Sequence, residues 1–345
     1  MLYVKNAILD SVLGAGYGRQ DLSTLITKLT NFPRPISESA PTTRATNELH
    51  QWREVGLNAA GSGLASYKEG ALPNTIAQAA IPAQNQTCRV GLTAQVTDEM
   101  TAVWTGAGEW ELQDADMTRR IQSALDLQVA LGTEDVLNEI EFMHATGDST
   151  NPQGTGVFPG GQCDGLLKWV MTYGSVAATG GSSGAPAPFT KQMVIDLARQ
   201  INNRYPGMQP DTLLVPSELR PDINTFVGGD ASRPIVQMIE AGPNGTTSLV
   251  GGSDVAYFNT GYSTVKIKTQ PYFSSAQNQW LTPGSLYAVL YNTAYVKNAA
   301  LIPLGTTAIA RTDTSLKKTM NTTFTQEHRA AAHAGLIPFV HSAIA

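Results

Sequence analysis

Apolar and polar positions along the chain alternate in some stretches and recur at helical spacing in others. Leu49-His50-Gln51-Trp52-Arg53-Glu54-Val55 and Thr87-Cys88-Arg89-Val90-Gly91-Leu92-Thr93-Ala94-Gln95-Val96 both alternate with period two, which predicts strands. Between them lie about thirty residues of mostly Ala, Gly, Ser, Asn and Gln, with Leu57, Leu64, Tyr67, Leu72, Ile76 and Ile81 as the sizeable apolar groups, too long for an ordinary loop. This pattern predicts a long protruding hairpin. A two-stranded hairpin is marginal by itself, so this one must stack on its own subunit or borrow a surface from another. Upstream, Leu22, Leu25, Ile26 and Leu29 form a short amphipathic stretch, and Phe32-Pro33-Arg34-Pro35 favours an extended path over a packed helix. An extended arm follows, with too few large apolar residues to hold itself together.

The most regular pattern runs from about Gln113 to Ala145. Met117, Ile121, Leu125 and Val129, continued by Val136, Ile140 and Met143, predict a long amphipathic helix, with Asp114 and Asp116 suited to its first turn. Its length would be on the order of 45 to 50 Å. Between Arg120 and Lys168 the charged residues are Asp126, Glu134, Asp135, Glu139, Glu141, Asp148 and Asp164, with no Lys or Arg among them. Two readings of that acidic face stand side by side: a solvated surface, or one that meets basic residues of another chain.

Asn151-Pro152, Gly154 to Gly161 and Gly180 to Pro188 then punctuate the chain and mark a domain border. Beyond it, Met193, Leu197 and Ile201 line a helix over Thr190 to Arg204, Asp211 to Pro216 is a short buried strand, and Ser217 is placed to cap a helix toward Phe226. Strands follow at Val255 to Phe258, Thr264 to Lys268 and Ser285 to Val296, and Leu316 to Ile337 alternates again. The fold class is therefore α+β.

Composition narrows the function. Charged residues are 15% of the 345, against about 25% in soluble proteins generally, while the hydrophobic share of 42% is ordinary. With 23 Lys+Arg against 28 Asp+Glu the net charge is −5, the wrong balance for an electrostatic nucleic-acid binder. No apolar run approaches the ~18 residues of a membrane span. Asp10 interrupts the N-terminal apolar stretch where a signal peptide needs its core, so the chain is expected to stay in the cytosol and its Asn-x-Thr triplets to be chance matches.

Catalytic constellations were sought in turn. No Gly-x-Ser-x-Gly elbow or Walker loop occurs, and Gly14-Ala15-Gly16-Tyr17-Gly18 does not follow a strand pattern. Cys88 and Cys163 are two cysteines in no Cys-x-x-Cys pair, read as free thiols. His328 and His333 are five apart with no third ligand suggested by spacing, and His50, His144 and His341 stand alone. Asp114 with Asp116, and Glu139 with Glu141, diverge at i, i+2 on a helix, which does not make a general acid/base dyad. Trp52, Trp104, Trp110, Trp169 and Trp280 are expected in core or interface packing, since no basic groove accompanies them as it would a stacking platform for bases. No enzyme, cofactor or metal is expected.

Taken in order, arm, long hairpin, long helix, compact α+β unit and returning strands resemble a tailed-bacteriophage major capsid protein. The resemblance covers essentially the whole chain and is closest in Asn47-Glu48-Leu49-His50-Gln51-Trp52, which opens the hairpin, Pro210-Asp211-Thr212-Leu213-Leu214-Val215-Pro216, and Thr323-Phe324-Thr325-Gln326-Glu327-His328-Arg329-Ala330-Ala331-Ala332-His333-Ala334-Gly335. It implies an N-terminal arm over 1–46, an E-loop over 47–108, a P domain with its spine helix over 109–186, an A domain over 187–310, and P-domain return strands over 311–345. It also implies self-assembly into hexamers and pentamers that form an icosahedral shell around packaged double-stranded DNA. Other implied partners are a scaffolding protein, a portal and decoration proteins, with DNA touched only through weak non-specific contact. The place would be the virion capsid, assembled in the host cytoplasm. Mild acidity suits this, because a shell rich in Lys and Arg would clamp its DNA. An oligomeric phage tail or decoration protein is the alternative.

Within this reading Trp52, Arg53 and Tyr67 are expected to contact a neighbouring subunit, and Arg119, Arg120 and Arg329 to join charge contacts at P-domain edges. One member system of the family joins subunits through an isopeptide bond between an E-loop Lys and a neighbour's Asn, aided by a Glu. Lys68 is the only Lys in this hairpin and stands either as a solvated residue beside Glu69 or as that nucleophile, which would need a buried, desolvated amine.

Overall fold

A computed structural model describes residues 25–27, 32–55, 80–105, 110–113, 118–121, 123–150, 162–173, 175–176, 189–204, 209–221, 223, 240–241, 247–248, 257–276, 278, 281, 285–311, 313–329 and 335–340. The chain divides into two compact units, one made of residues 1–32, 90–139 and 303–322, the other of 33–89, 140–302 and 323–345.

In chain order the elements are β1 (Leu25–Thr27), α1 (Pro35–Ser39), β2 (Thr42–Arg44), β3 (Leu49–Glu54), β4 (Ile81–Gln86), β5 (Cys88–Thr97), α2 (Asp98–Thr105), β6 (Trp110–Gln113) and β7 (Thr118–Ile121). Then come α3 (Ala124–Thr146), α4 (Leu166–Tyr173), β8 (Ser175–Val176), α5 (Lys191–Arg204), β9 (Thr212–Val215), β10 (Glu240–Ala241) and β11 (Thr247–Ser248). The chain ends in β12 (Tyr257–Asn259), β13 (Thr264–Thr269), β14 (Ser285–Tyr291), β15 (Val296–Ile309), β16 (Ser315–His328) and β17 (Gly335–Val340).

The first unit holds a three-stranded sheet, β1-β6-β7, in which β1 runs parallel to β6 and β6 antiparallel to β7. The long helix was expected to begin near Gln113, and here the structure departs from the sequence reading. Residues 110–113 and 118–121 instead form the antiparallel strands β6 and β7, and α3 starts at Ala124. Ser123 explains the start: its hydroxyl donates to Asp126 Oδ2 at 2.7 Å and accepts from the Asp126 N–H at 3.1 Å, a reciprocal N-terminal cap. At 23 residues α3 spans about 35 Å.

The second unit is built on a six-stranded mixed sheet of order β12-β13-β9-β14-β17-β8. Central β9, Thr212-Leu213-Leu214-Val215, is buried at every position. Its alternation splits the core in two. Leu213 and Val215 join Leu286, Ala288 and Leu290 of β14 beneath the Met193, Val194, Leu197 and Ile201 face of α5. Leu214, Val289 and Tyr291 point the other way, toward Leu166, Leu167 and Val170 of α4 and Ile36 of α1. A sheet covered on both faces needs the near-continuous apolar run that β9 carries. Ser217 was expected to cap a helix; it opens a 3₁₀ turn, Ser217–Leu219, that runs on into helical residues at 220, 221 and 223, and the turn is entered from Pro216 with no side-chain cap.

Two further expectations are corrected in this unit. Phe32 to Pro35 does not run on as an extended arm: Pro35 occupies the first turn of α1, where its missing N–H costs nothing. The partner of β3 is β4, antiparallel in the register Leu49↔Gln86 to Glu54↔Ile81, while β5 joins a four-stranded sheet of order β2-β15-β16-β5. Pro82 demotes Ile81 to Gln86 as a strand on sequence, yet it sits on the edge of a two-stranded ribbon, where a missing donor is tolerated.

One corner is shaped by backbone alone. Where α3 ends and α4 begins, the Gly165 N–H donates to Gly147 O at 2.8 Å. A Cβ on Gly165 would lie 2.5 Å from Met143 O and 2.8 Å from Gly147 N, closer than any side chain can sit.

Candidate subunit interface

The root of the β3–β4 ribbon is fastened within the second unit by side chains from its inward face. His50 and Trp52 point in and Leu49, Gln51 and Arg53 point out, the two-residue period of the strand. Trp52 is 6% exposed, its ring 5.6 Å from that of Trp169 and 6.0 Å from His50, and its indole N–H donates to Glu54 Oε1 at 3.0 Å. Trp169 in turn stacks on His328 at 5.3 Å and meets Tyr173 at 5.1 Å. His50 Nε2 lies 2.7 Å from Glu327 Oε1, while Arg329 Nε donates to Glu327 Oε2 at 2.8 Å, so a carboxylate only 3% exposed has both oxygens engaged.

Asn85 of β4 adds a main-chain style splice. Its amide Nδ2 donates to Asp164 O at 2.9 Å and to Gln326 O at 2.8 Å, and its Oδ1 accepts from the Asp164 N–H at 2.9 Å. Thr325 Oγ1 donates to Gln86 O at 2.8 Å, and the Thr87 N–H to Glu48 O at 2.8 Å. Each such bond is worth about 0.5–1.5 kcal/mol net, so together they fix where the ribbon leaves the unit.

The outward face carries Leu49, Gln51 and Arg53 with Gln84 and Gln86 opposite, and several apolar side chains stand uncovered along the ribbon. Leu49 is 41% exposed, Val55 58% and Ile81 67%. Within the first unit Leu92, Met100, Ile309 and Leu316 are exposed as well. Covering one Val, Leu or Ile side chain is worth about 1.5–3 kcal/mol.

The start of α1 is held by a carboxylate that the sequence placed on an exposed acidic face. Glu141 is fully buried, accepting the Ile36 N–H at 2.9 Å, the Ser37 N–H at 2.8 Å and the Gln270 amide at 2.6 Å. Burial pushes its pKa up, and the hydrogen bonds from Ser37, Ile36 and Gln270 pull part of the way back. Its first two donors are the unpaired amides at the start of α1, which a carboxylate satisfies well. Next to it, His144 Nδ1 lies 3.3 Å from Ser37 Oγ, and burial lowers its pKa to about 3. Other members of the acidic run find partners nearby in sequence or space: Asp148 pairs with Lys168 at 2.9 Å, and in the first unit Asp126 with Lys318 at 3.4 Å.

Of the residues singled out on sequence, Trp52 is spent on its own chain and Arg53 stays exposed beside it. Arg329 divides itself, ion-paired to Glu327 with 43% of its side chain still accessible. Arg119 and Arg120 lie in β7 opposite Leu112 and Glu111. Tyr67 and Lys68, with the isopeptide question, lie outside the described residues. The roles of Asn85 and Glu141 are not announced by the sequence; a lone Asn inside a strand pattern was the one available signal. Among the described residues no group of three or more His, Cys, Asp or Glu could hold a metal ion, and no helix is long and apolar enough to cross a membrane.

Comparison with known proteins gives this arrangement a context. A family model described as SU10 major capsid protein matches residues 6–340. No curated protein matches. Among solved structures, the capsid of a native GTA particle is 13% identical with a TM-score of 0.59, covering 96% of this chain and 99% of that one. A Gordonia phage Cozz chain is 9% identical at TM-score 0.57, with 97% and 95% covered. The capsid of Myoviridae phage XM1 is 11% identical at TM-score 0.55, with 93% and 97% covered.

Proposed function

The chain belongs to the SU10 major capsid protein family, and from that premise we propose that its copies assemble as hexamers and pentamers into an icosahedral head shell enclosing double-stranded DNA. Its role is structural. The observation that carries the assembly reading is the ribbon root: His50, Trp52 and Asn85 lock it to its own unit while Leu49, Val55 and Ile81 stand uncovered. An element rigidly mounted at its base with large apolar side chains left uncovered is suited to lie on a neighbour, where burial of those side chains contributes about 25 cal/mol per Å². The alternative of a tail or decoration protein gives way to the family match.

In this reading 1–46 serves as the arm, 47–108 as the E-loop, 109–186 and 311–345 as the P domain and 187–310 as the A domain. Arg53, Tyr67 and Lys68 act from the E-loop on the adjacent subunit, with Trp52 setting the angle at which they are presented. Arg119, Arg120 and the free part of Arg329 act at P-domain edges, where exposed pairs worth about 0–1 kcal/mol set register more than they add cohesion. A scaffolding protein, a portal and decoration proteins complete the particle, which forms in the host cytoplasm and touches DNA only weakly and non-specifically. The test is electron microscopy of the purified chain across salt and crowding conditions. Closed shells or capsomers are expected; a persistent monomer under all of them overturns the proposal.

A further inference from the structure

Cys88 and Cys163, read from sequence as two separate free thiols, are brought together by the fold. Cys88 opens β5, and Cys163 lies in the segment that leads into α4; they are 1% and 0% exposed, and both are reduced. One feature holds them in register. The Asn85 side chain bonds both the N–H and the carbonyl of Asp164, so the residue after Cys163 is tied to β4 three positions before Cys88. Cys88 is also the largest influence on the Cys163 thiol, as two buried sulfurs side by side would be. We propose that Cys88 and Cys163 are a built-in redox staple, closing to an intrachain disulfide when the protein meets a low-molecular-weight disulfide oxidant and pinning the ribbon root covalently to the segment before α4.

The chemistry balances by two exchanges. One cysteine thiolate attacks the small disulfide RSSR, forming a Cys–S–S–R bond and releasing one RSH. The second cysteine attacks the protein sulfur of that mixed disulfide, forming the Cys88–Cys163 bond and releasing a second RSH. Two electrons pass from the cysteine pair to the oxidant, and the two thiol protons leave with the RSH products.

The surroundings set when this happens. The influence of Cys88, and then burial, push the Cys163 thiol well above its ordinary pKa, so little thiolate is present at neutral pH in the closed structure. Exchange therefore waits for a local opening at the ribbon root, and the pair stays reduced in a glutathione-buffered cytosol. Only this timing rests on the capsid reading; the cross-link itself belongs to the isolated chain.

Purified protein, assembled as it is obtained, is incubated with oxidised glutathione, quenched with an alkylating agent in denaturant, and examined by intact mass and non-reducing peptide mapping. The expected product is a monomeric chain lighter by two hydrogens, carrying no alkyl group, with the Cys88 and Cys163 peptides joined and a melting temperature raised until dithiothreitol is added. Two alkylated thiols, a stable glutathione adduct or an interchain dimer overturns the assignment. So does an oxidised chain that melts where the reduced one does. Cys88→Ser and Cys163→Ser each leave one thiol and are expected to lose the oxidant-induced rise; a rise retained in either variant assigns it elsewhere and defeats the proposal.

Discussion

Two buried histidines give the second unit an acid sensitivity whose size follows from their surroundings. His144 packs edge-on against Phe324 at 5.0 Å, and His328 stacks on Trp169; both are 2% exposed, and Nε2 of each has no hydrogen-bond partner among the described residues. Burial lowers both pKa values to about 3, with His144 adding to the effect at His328. In the unfolded chain each titrates near about 6.5. Below that value the unfolded state takes up protons that the folded state refuses, so stability is lost as pH falls and the loss continues until pH reaches the folded values near 3. Each histidine contributes about 1 kcal/mol per pH unit, and the pair about 4 kcal/mol between pH 7 and 5, a large share of an ordinary domain's stability. Glu141 works in the opposite sense, since its raised pKa returns stability as pH falls through that value toward 4.5. Differences in slope between proteins remove this common contribution. Urea unfolding followed by tryptophan fluorescence from pH 7 to 5 is the assay, comparing the natural chain with His144→Asn, His328→Asn and the double variant. The double variant is expected to be less stable at pH 7 but flatter by about 4 kcal/mol over the interval, with each single variant near half. Parallel curves for all four proteins would refute the reasoning.

Other expectations test single contacts. Glu141→Gln turns an amide donor toward the α1 amides, and is expected to cost about 1–3 kcal/mol and to speed exchange of the Ile36 and Ser37 amides in hydrogen-exchange measurements. Gly165→Ala forces a methyl onto Met143 O and should lower stability by about 1–3 kcal/mol, read as a fall in melting temperature. Ile81→Asp, on an exposed side chain, should leave subunit stability within about 0.5 kcal/mol while reducing shell yield by microscopy; full yield would remove Ile81 from the interface. Shells boiled in detergent are expected to run as one monomer band, with Lys68 a solvated amine; a ladder of covalent multimers would show the opposite.

Legibility in the sequence followed how local the determining physics is. α5 and β9 were readable because Met193, Leu197 and Ile201 and the run Leu213-Leu214-Val215 declare their buried faces within a few residues. The start of α3 was misjudged because Met117 and Ile121 happen to continue its helical spacing; Ser123 with Asp126 three residues on was the stop signal, and it is a local one. The hairpin was foreseen, but its partner strand was assigned to β5 because Pro82 makes β4 a poor strand in isolation. Glu141 could not have been found: its donors are Ile36, Ser37 and Gln270, more than a hundred positions away, and nothing in Glu139-Ile140-Glu141 says which carboxylate turns inward. Trp52 was expected to contact a neighbouring subunit, yet its ring is buried against Trp169 of the same chain.

The meeting of Gly147 and Gly165 can be regarded as a joint without play. Where helices touch through side chains, rotamer changes act as soft spacers, and a small twist in one element dies out before it reaches the next. Here carbonyl meets amide directly, with Met143 O and Cys163 O closing the remaining space. A rotation of the last turn of α3 is therefore handed to the first turn of α4, and through Trp169 to the ring of Trp52. The direction in which the ribbon leaves the unit is geared to the end of the long helix.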